Sequence, residues 1–534
     1  MSARGAPRGV ENVFRLALAA GACLMLAAPA AAVLTEGARL AAVYDTILQA
    51  QFDRVDAQLK QTCPPAPGEA CQALGVVSLW WQILINSDNR LLDRRFSDLA
   101  AAAVAASEAW TRREPRRAEA WFYLAGSYAP LVQWRVLRGE RLAAAREGGK
   151  IKTALERALQ LDPTLSDAYF GIGLYRYYAD VAPAGVKLLR WLLLLPGGDR
   201  VKGLQEMLEA RERGELLRGE ADYQLHLLYL WYEQKPRQGL DLLESLEALY
   251  GSNPLFLQRI AEVENEYFHD HPASAAAWRA LVERARSGRV YGAPLAEARA
   301  RLGLASELDA MYETDRAIDE LKTAIALKPV APLDARAELQ LGAAYDRLGE
   351  RDLAVAAYTA AVALAPEKDP TQIRERARGG LRQKPDARRA EAYRLSLDGW
   401  RALERGAHEN AKRFLTRAVM LAPDDWVARY RYARALDAGG DHAHAREQLE
   451  KVIAARPMAP AIVLAGAYVD YARLLENAGE RARAIAMYRD AAQVVGGDPR
   501  ARDQAMRALE RLSATSTFFD FSCTLCLTSR ASQP

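Results

Sequence analysis

Three things are scarce in this chain. Runs rich in Val, Ile and Thr are few, so β-strands have little support. No basic stripe is concentrated anywhere. The net charge is +4 over 534 residues, with Lys and Arg spread among Asp and Glu mostly at helical spacing. A dedicated nucleic-acid binder would usually show such a stripe, so no nucleic-acid partner is expected. Enzyme signatures are missing as well. There is no HExxH, no GxSxG and no P-loop, and "REGGKIK" lacks the spacing to cradle phosphates. "HDH" at His269 to His271 and "HAH" at His442 to His444 place imidazoles two residues apart, on different sides of a helix. Both fall near inter-helix turns, so a turn or helix-end role is expected, with no metal and no cofactor.

What is present is a folded, helix-forming composition, 50% hydrophobic and 26% charged, dominated by Ala, Leu, Arg and Glu. The length exceeds one compact core and suits several domains or one long array. Residues 1–32 stand apart. Arg4, Arg8 and Arg15 give a basic start, "LALAAGACLMLAA" an apolar core, and "PAAA" small residues for cleavage near Ala32. This pattern is expected to be a secretory signal peptide, since the apolar core falls short of the ~20 residues that span a bilayer. A lipoprotein is the alternative, with a poor lipidation box ending at Cys23 and Ala20 in place of the preferred Leu or Val.

Export makes the cysteines readable. Cys63 and Cys71 flank "PPAPGEA" and are expected to form a disulfide in an oxidising compartment, free thiols being the other possibility. Cys523 and Cys526 form a single CxxC in a tail that departs from the Ala/Arg/Glu composition. One CxxC supplies only two of the four ligands a structural zinc takes, and no thioredoxin-like pattern surrounds it. The tail, 513–534, is expected to be disordered or atypical.

A self-similar pattern recurs at a period near 34 residues. Its clearest copy is "RAELQLGAAYDRLGERDLAVAAYTAAVALAP", Arg336 to Pro366. Leu341, Gly342 and Tyr345 share one face of a first helix, "LGERD" turns the chain, Ala354, Tyr358 and Ala361 share one face of a second, and Pro366 stops it. Further copies carry Leu304, Ala305, Leu308, Ala317, Leu321 and Ala324; then Gly399, Ala411, Leu415 and Ala418; then Tyr432, Ala433, Leu436, Ala445 and Leu449; then Tyr471, Ala472, Leu475, Ala484 and Tyr488. Trp121, Leu124, Ala125 and Tyr128 open an earlier unit that closes at Leu155, Ala158 and Pro163. These residues resemble the tetratricopeptide repeat, of exported bacterial type, strongly over 116–180 and 295–495 and more weakly over 33–115 and 200–290. The resemblance implies an all-α fold, an α-solenoid of helical hairpins wound as a superhelical array.

The expected organisation is a divergent helical region at 33–115, an array at 116–366, a polar and basic joint at 367–390, and a second array at 391–512. Tyr169 follows Pro163 at the interval that separates Trp121 from Pro115, so it occupies the same slot of a new unit. Ile172 and Gly173 follow it, and Gly203, Met207 and Ala210 supply the partner helix. Residues 181–199 are therefore an insertion. Its apolar run, Leu188 to Leu195, would make a helix of roughly 12 Å, too short to cross a bilayer. Packing against the array, an exposed contact surface and membrane insertion are the readings open to it. "YFGIGLY", "KLLRWL" and "GDRVKGL" resemble the long-insert units of the inclusion-body-clearance family of tetratricopeptide proteins, which implies a scaffold without catalytic residues.

Function is expected on the concave face of the first helices. In the clearest unit that face holds Arg336, Leu339, Ala343, Asp346 and Arg347. Equivalent positions are Arg299 and Asp309, then Tyr430, Arg434 and Asp437, then Arg473 and Glu476. Toward the N-terminus they are Phe122, then Phe170, Leu174, Tyr177 and Tyr178. A groove aromatic at one end and charged at the other suits an extended peptide. The alternatives are a solvated charged face, with pairs worth only ~0.3 kcal/mol each, and aromatics that belong to the core. The expected partners are proteins or peptides of the cell envelope, in the periplasm or outside the cell, with no nucleic acid and no stable membrane span. Docking to a membrane-associated assembly through 181–199, with peripheral membrane contact, is the second reading. An enzyme built around Asp88, Asn89, Asp93 and Arg94 in "SLWWQILINSDNRLLDRRF" is the third.

Overall fold

The computed structural model describes residues 34–181, 197–330 and 332–526, with side chains described through residue 513 in the last stretch. Among them every regular element is an α-helix, 24 in all. The signal-peptide expectation and the run Leu188 to Leu195 lie outside the described residues. The chain divides into two compact units, one ending at Lys235 and one beginning at Pro236.

The first unit holds α1 (Gly37–Leu48), α2 (Phe52–Thr62), α3 (Gly68–Ile85), α4 (Asp93–Arg113), α5 (Ala118–Leu137), α6 (Arg141–Leu161), α7 (Ser166–Val181), α8 (Arg200–Arg213) and α9 (Arg218–Trp231). The second holds α10 (Pro236–Leu249), α11 (Pro254–Phe268), α12 (His271–Arg286), α13 (Ala293–Ala310), α14 (Thr314–Ala326), α15 (Leu333–Leu348) and α16 (Arg351–Leu364). It continues with α17 (Ile373–Arg382), α18 (Ala387–Glu404), α19 (His408–Leu421), α20 (Trp426–Ala438), α21 (His442–Ala454), α22 (Ala461–Asn477), α23 (Arg481–Gln493) and α24 (Pro499–Cys526). Within each unit the helices pack as antiparallel hairpins stacked on their neighbours, an all-α repeat solenoid. Several helices open on an Asx cap: Asp199, Asn253, Asp270, Asp386, Asp425 and Asp441 each accept a backbone N–H of the first turn.

The repeat residues do the packing. Leu341, Gly342 and Tyr345 of α15 and Ala354, Tyr358 and Ala361 of α16 are all buried. A Cβ on Gly342 would lie 2.6 Å from Cδ1 of Tyr358, so only glycine lets this ring in. In the unit split by the insertion, Gly173 of α7 and Gly203 of α8 meet the same way, each within 2.6 Å, as a Cβ, of the other's carbonyl oxygen. Close backbone approach joins the two helices across the intervening chain.

Two stretches differ from expectation. The joint at 367–390 contains α17, which buries Ile373, Ala377 and Gly380 against α15 and α16. The polar composition hid an apolar face of three residues at helical spacing. The last helix, α24, runs to Cys526, past the expected boundary at 513. The side chains of Cys523 and Cys526 lie outside the described residues.

Candidate partner-binding face

In the second unit the first helices α13, α15, α18, α20, α22 and α24 lie side by side. Charged residues join α13 to α15, α20 to α22 and α22 to α24. Arg347 Nη1 reaches Asp309 Oδ1 at 2.6 Å, Arg434 Nε lies 3.7 Å from Asp470 Oδ2, and Arg473 Nη2 lies 2.5 Å from Asp437 Oδ2. Arg511 grips Glu476 with two bonds, at 2.5 and 2.9 Å. Arg347, Asp309, Arg434, Asp437, Arg473 and Glu476 were all expected on one face, and they meet as cross-helix pairs. Arg347 and Asp309, and Arg473 and Asp437, pair with each other, while Arg434 and Glu476 meet partners outside the expected set, Asp470 and Arg511.

The carboxylates differ in their surroundings. At Asp437 burial pushes the carboxyl up, but the bonds from Arg473 and His442 outweigh it and the group ends below its usual range. At Asp470 burial prevails over Arg434 and Arg473 and the carboxyl is raised. Tyr430 donates to Asp470 Oδ2 at 3.1 Å, so it bridges α20 and α22.

Trp400 of α18 is half-buried on this face between two guanidiniums, Arg431 at 5.5 Å and Arg434 at 5.3 Å from its ring. Arg431 is only 4% exposed. It donates to Ser396 Oγ at 3.0 Å and to the Tyr312 carbonyl at 2.7 Å, and makes no ion pair among the described residues. Beside it, Arg401 takes Asp315 with two bonds, at 2.8 and 2.7 Å.

Two tetratricopeptide repeat family models match the chain, one over residues 335–368 and one over 402–465. The chain carries tetratricopeptide repeats. Three solved structures illustrate its similarities. The TPR2AB-domain:pHSP90 complex of yeast Sti1 is 14% identical and covers 56% of this chain and 98% of that one, with a TM-score of 0.22. A tetratricopeptide repeat protein from Parabacteroides merdae is 17% identical, with coverages of 54% and 98% and a TM-score of 0.24. The human IFIT1 dimer with m7Gppp-AAAA is 15% identical, with coverages of 73% and 81% and a TM-score of 0.25. At such scores nothing about ligands passes from them to this chain. No curated protein matches it. At the level of its repeats the tetratricopeptide protein is a protein–protein interaction scaffold.

The remaining expected residues fall elsewhere. Asp346 is held by Arg351 of its own hairpin at 2.9 Å, which turns it toward α16. Arg336 is exposed and makes no ion pair among the described residues. Arg299 is half-buried, 3.4 Å from Gln258 Oε1. The aromatic end is largely core: Phe122, Phe170 and Tyr177 are buried. Tyr178 alone keeps some exposure, in a trio with Tyr177 and Tyr232 whose centroids are 5.8 to 6.1 Å apart. An aromatic ring gains more from burial between helices than from waiting for a ligand, and these helices have neighbours to bury it.

Trp400 was overlooked although the pattern placed it. It follows Gly399 as Ala343 follows Gly342, Arg434 follows Ala433 and Arg473 follows Ala472. Asp93, a candidate for the enzymatic reading, instead accepts from Trp134 Nε1 at 3.1 Å and pairs with Arg138 at 2.7 Å, tying α4 to α5. His442 and His444 bond Asp437 and Asp441, both at 2.8 Å, at the start of α21. His271 bonds Glu307 at 2.7 Å at the start of α12.

Proposed function

We propose that this protein is a non-catalytic scaffold that binds extended segments of partner proteins on the concave face of its second unit, centred on Trp400. One observation carries the reading. Trp400 is a large ring that this face leaves partly open, and it lies among arginines on a face whose other charges are mostly neutralised. Half-buried tryptophan beside arginine is the composition of a binding hot spot. Ala343 and Arg336, exposed on the neighbouring first helix, leave room for a segment to run alongside.

The location we propose is the cell envelope, periplasmic or outside the cell. The leader pattern of residues 1–32 supports it. So does the disulfide joining Cys63 to Cys71, a bond that persists in oxidising compartments.

The test is a crosslinking pull-down from intact cells of the native host, comparing wild type with Trp400→Ala/Arg434→Glu. A set of envelope proteins captured by wild type and lost from the variant supports the reading. The same set captured by both removes the binding from this face.

A further inference from the structure

The first unit carries one helix more than its hairpins need. α1 packs with α2, α3 with α4, α5 with α6 and α7 with α8, and α9 is left over. It does not lie on the surface. Ten of its fourteen residues are buried, without a break from Gly219 to His226, although Glu220, Asp222, Gln224 and His226 are among them. The partners of those residues say where α9 sits. The Tyr44 hydroxyl of α1 donates to Glu220 at 3.0 Å, the Trp81 ring of α3 meets that of Tyr223 at 4.9 Å, and Gln133 of α5 also bonds Glu220. α1, α3 and α5 are the first helices of their hairpins and lie side by side. A helix touched by all three lies across the groove face of the unit. The groove that such an array offers to a partner is filled here by the chain itself.

Glu220 is the unusual member of this seat. It is 7% exposed, and the groups that bond it are neutral: the Tyr44 hydroxyl, Gln133, and Gln224 of its own helix at 2.9 Å, with the Trp81 indole beside them. It makes no ion pair among the described residues. The other titratable groups of the seat have partners of their own. Asp222 pairs with Arg211 of α8, and His226 lies against the Tyr223 ring at 4.8 Å. Asp167 of α7 holds the N–H groups of residues 215–217 ahead of α9, and Glu215 lies against Gly37 at the start of α1. A carboxylate taken out of water without a cation favours its neutral form, so burial raises the Glu220 carboxyl above the ordinary 4.5, and Asp167 and Glu215 are raised in the same sense. A carboxyl raised in the folded state gives stability that is full below the unfolded value and lost as pH rises through the folded one.

We propose that α9 is a latch in the groove of the first unit, seated while Glu220 is protonated and let go when it ionises. Letting go uncovers Tyr44, Trp81 and Gln133 as a second face for a partner segment. The use of that face rests on the scaffold reading above. The latch itself does not, and it is measured without a partner.

The test is amide hydrogen exchange of the full protein from about pH 5 to about pH 8, corrected for the intrinsic pH dependence of exchange. It is read at α9 and at α4, a second helix of the same unit. In wild type the protection of α9 should fall on the order of tenfold as pH rises while that of α4 holds. Glu220→Gln keeps a neutral polar group in the seat and should remove most of the fall. Tyr44→Phe removes a donor that favours the ionised form, so it should move the fall to higher pH. A circular-dichroism melt shows that each variant is folded. An equal fall in wild type and Glu220→Gln would overturn the proposal, as would α9 and α4 losing protection together. A fall at the wild-type pH in Tyr44→Phe would overturn it too, and decides alone if Glu220→Gln does not fold.

Discussion

The indole Nε1 of Trp121 donates to the carbonyl oxygen of Pro115 at 3.1 Å, six residues back. Tyr169 repeats the contact one unit later, its hydroxyl donating to the Pro163 carbonyl at 3.1 Å. The shared interval in the sequence therefore has a physical cause. A polar-tipped ring at the first helix reaches back to a carbonyl in the turn, two residues past the end of the preceding helix, and so fixes that turn. Trp121→Phe keeps the ring and loses the donor. It should cost about 1 kcal/mol in urea unfolding of the full chain followed by circular dichroism. No change would mean that water serves this carbonyl equally well.

The Tyr358 ring is held between two glycines. A Cβ on Gly342 would come within 2.6 Å of it, and one on Gly380 within 2.4 Å. Gly380→Ala should cost about 1–3 kcal/mol by forcing α17 off α16. The double variant with Gly342→Ala should cost less than the two singles together, because both displace the same ring. Strict additivity in thermal melts would show that the ring does not couple them.

Cys63–Cys71 closes the α2–α3 loop in the first unit. Cys63→Ser/Cys71→Ser should lower stability by about 2–3 kcal/mol through loop entropy alone. Reductant should lower the melting temperature of wild type and leave the variant's unchanged. A shift of equal size in both would place the effect elsewhere.

Glu476 gives the last hairpin a pH dependence. Hydrogen bonds from Arg511 hold its carboxyl below the ordinary value of 4.5, with Tyr488 adding a bond at 3.2 Å. A carboxyl lowered in the folded state contributes stability that is full above the unfolded value and lost as pH falls through the folded one. The stability gap between wild type and Glu476→Gln should therefore be constant above about pH 5 and shrink below about pH 4. A gap that does not vary with pH would contradict the assignment.

The hairpins were legible in the sequence because they rest on small and large residues at fixed helical intervals, as with Gly342 and Tyr358. The face was only partly legible. Spacing says on which side of a helix Asp346 lies, but not that Arg351 from its own hairpin draws it away. Nor does it say whether a ring such as Tyr177 is needed to fill space, which depends on helices far along the chain. Asp167 shows the same limit. Its buried carboxylate accepts three backbone N–H groups ahead of α9, from Glu215, Leu216 and Leu217, at 2.9 to 3.0 Å. No local pattern announces a cap that acts across nearly fifty residues. α17 was missed for a simpler reason, since two glycines and four arginines outweighed three apolar residues in a reading by composition.

The most direct test places a photo-crosslinking amino acid at position 343, 400 or 434 on the first-helix face, and at Ala356, exposed on α16, as the outward control. The proteins are irradiated in the native host. The account predicts the same discrete adducts from the three face positions and none of them from position 356. Adducts from 356 alone, or no adducts from any face position, would contradict a partner segment seated around Trp400.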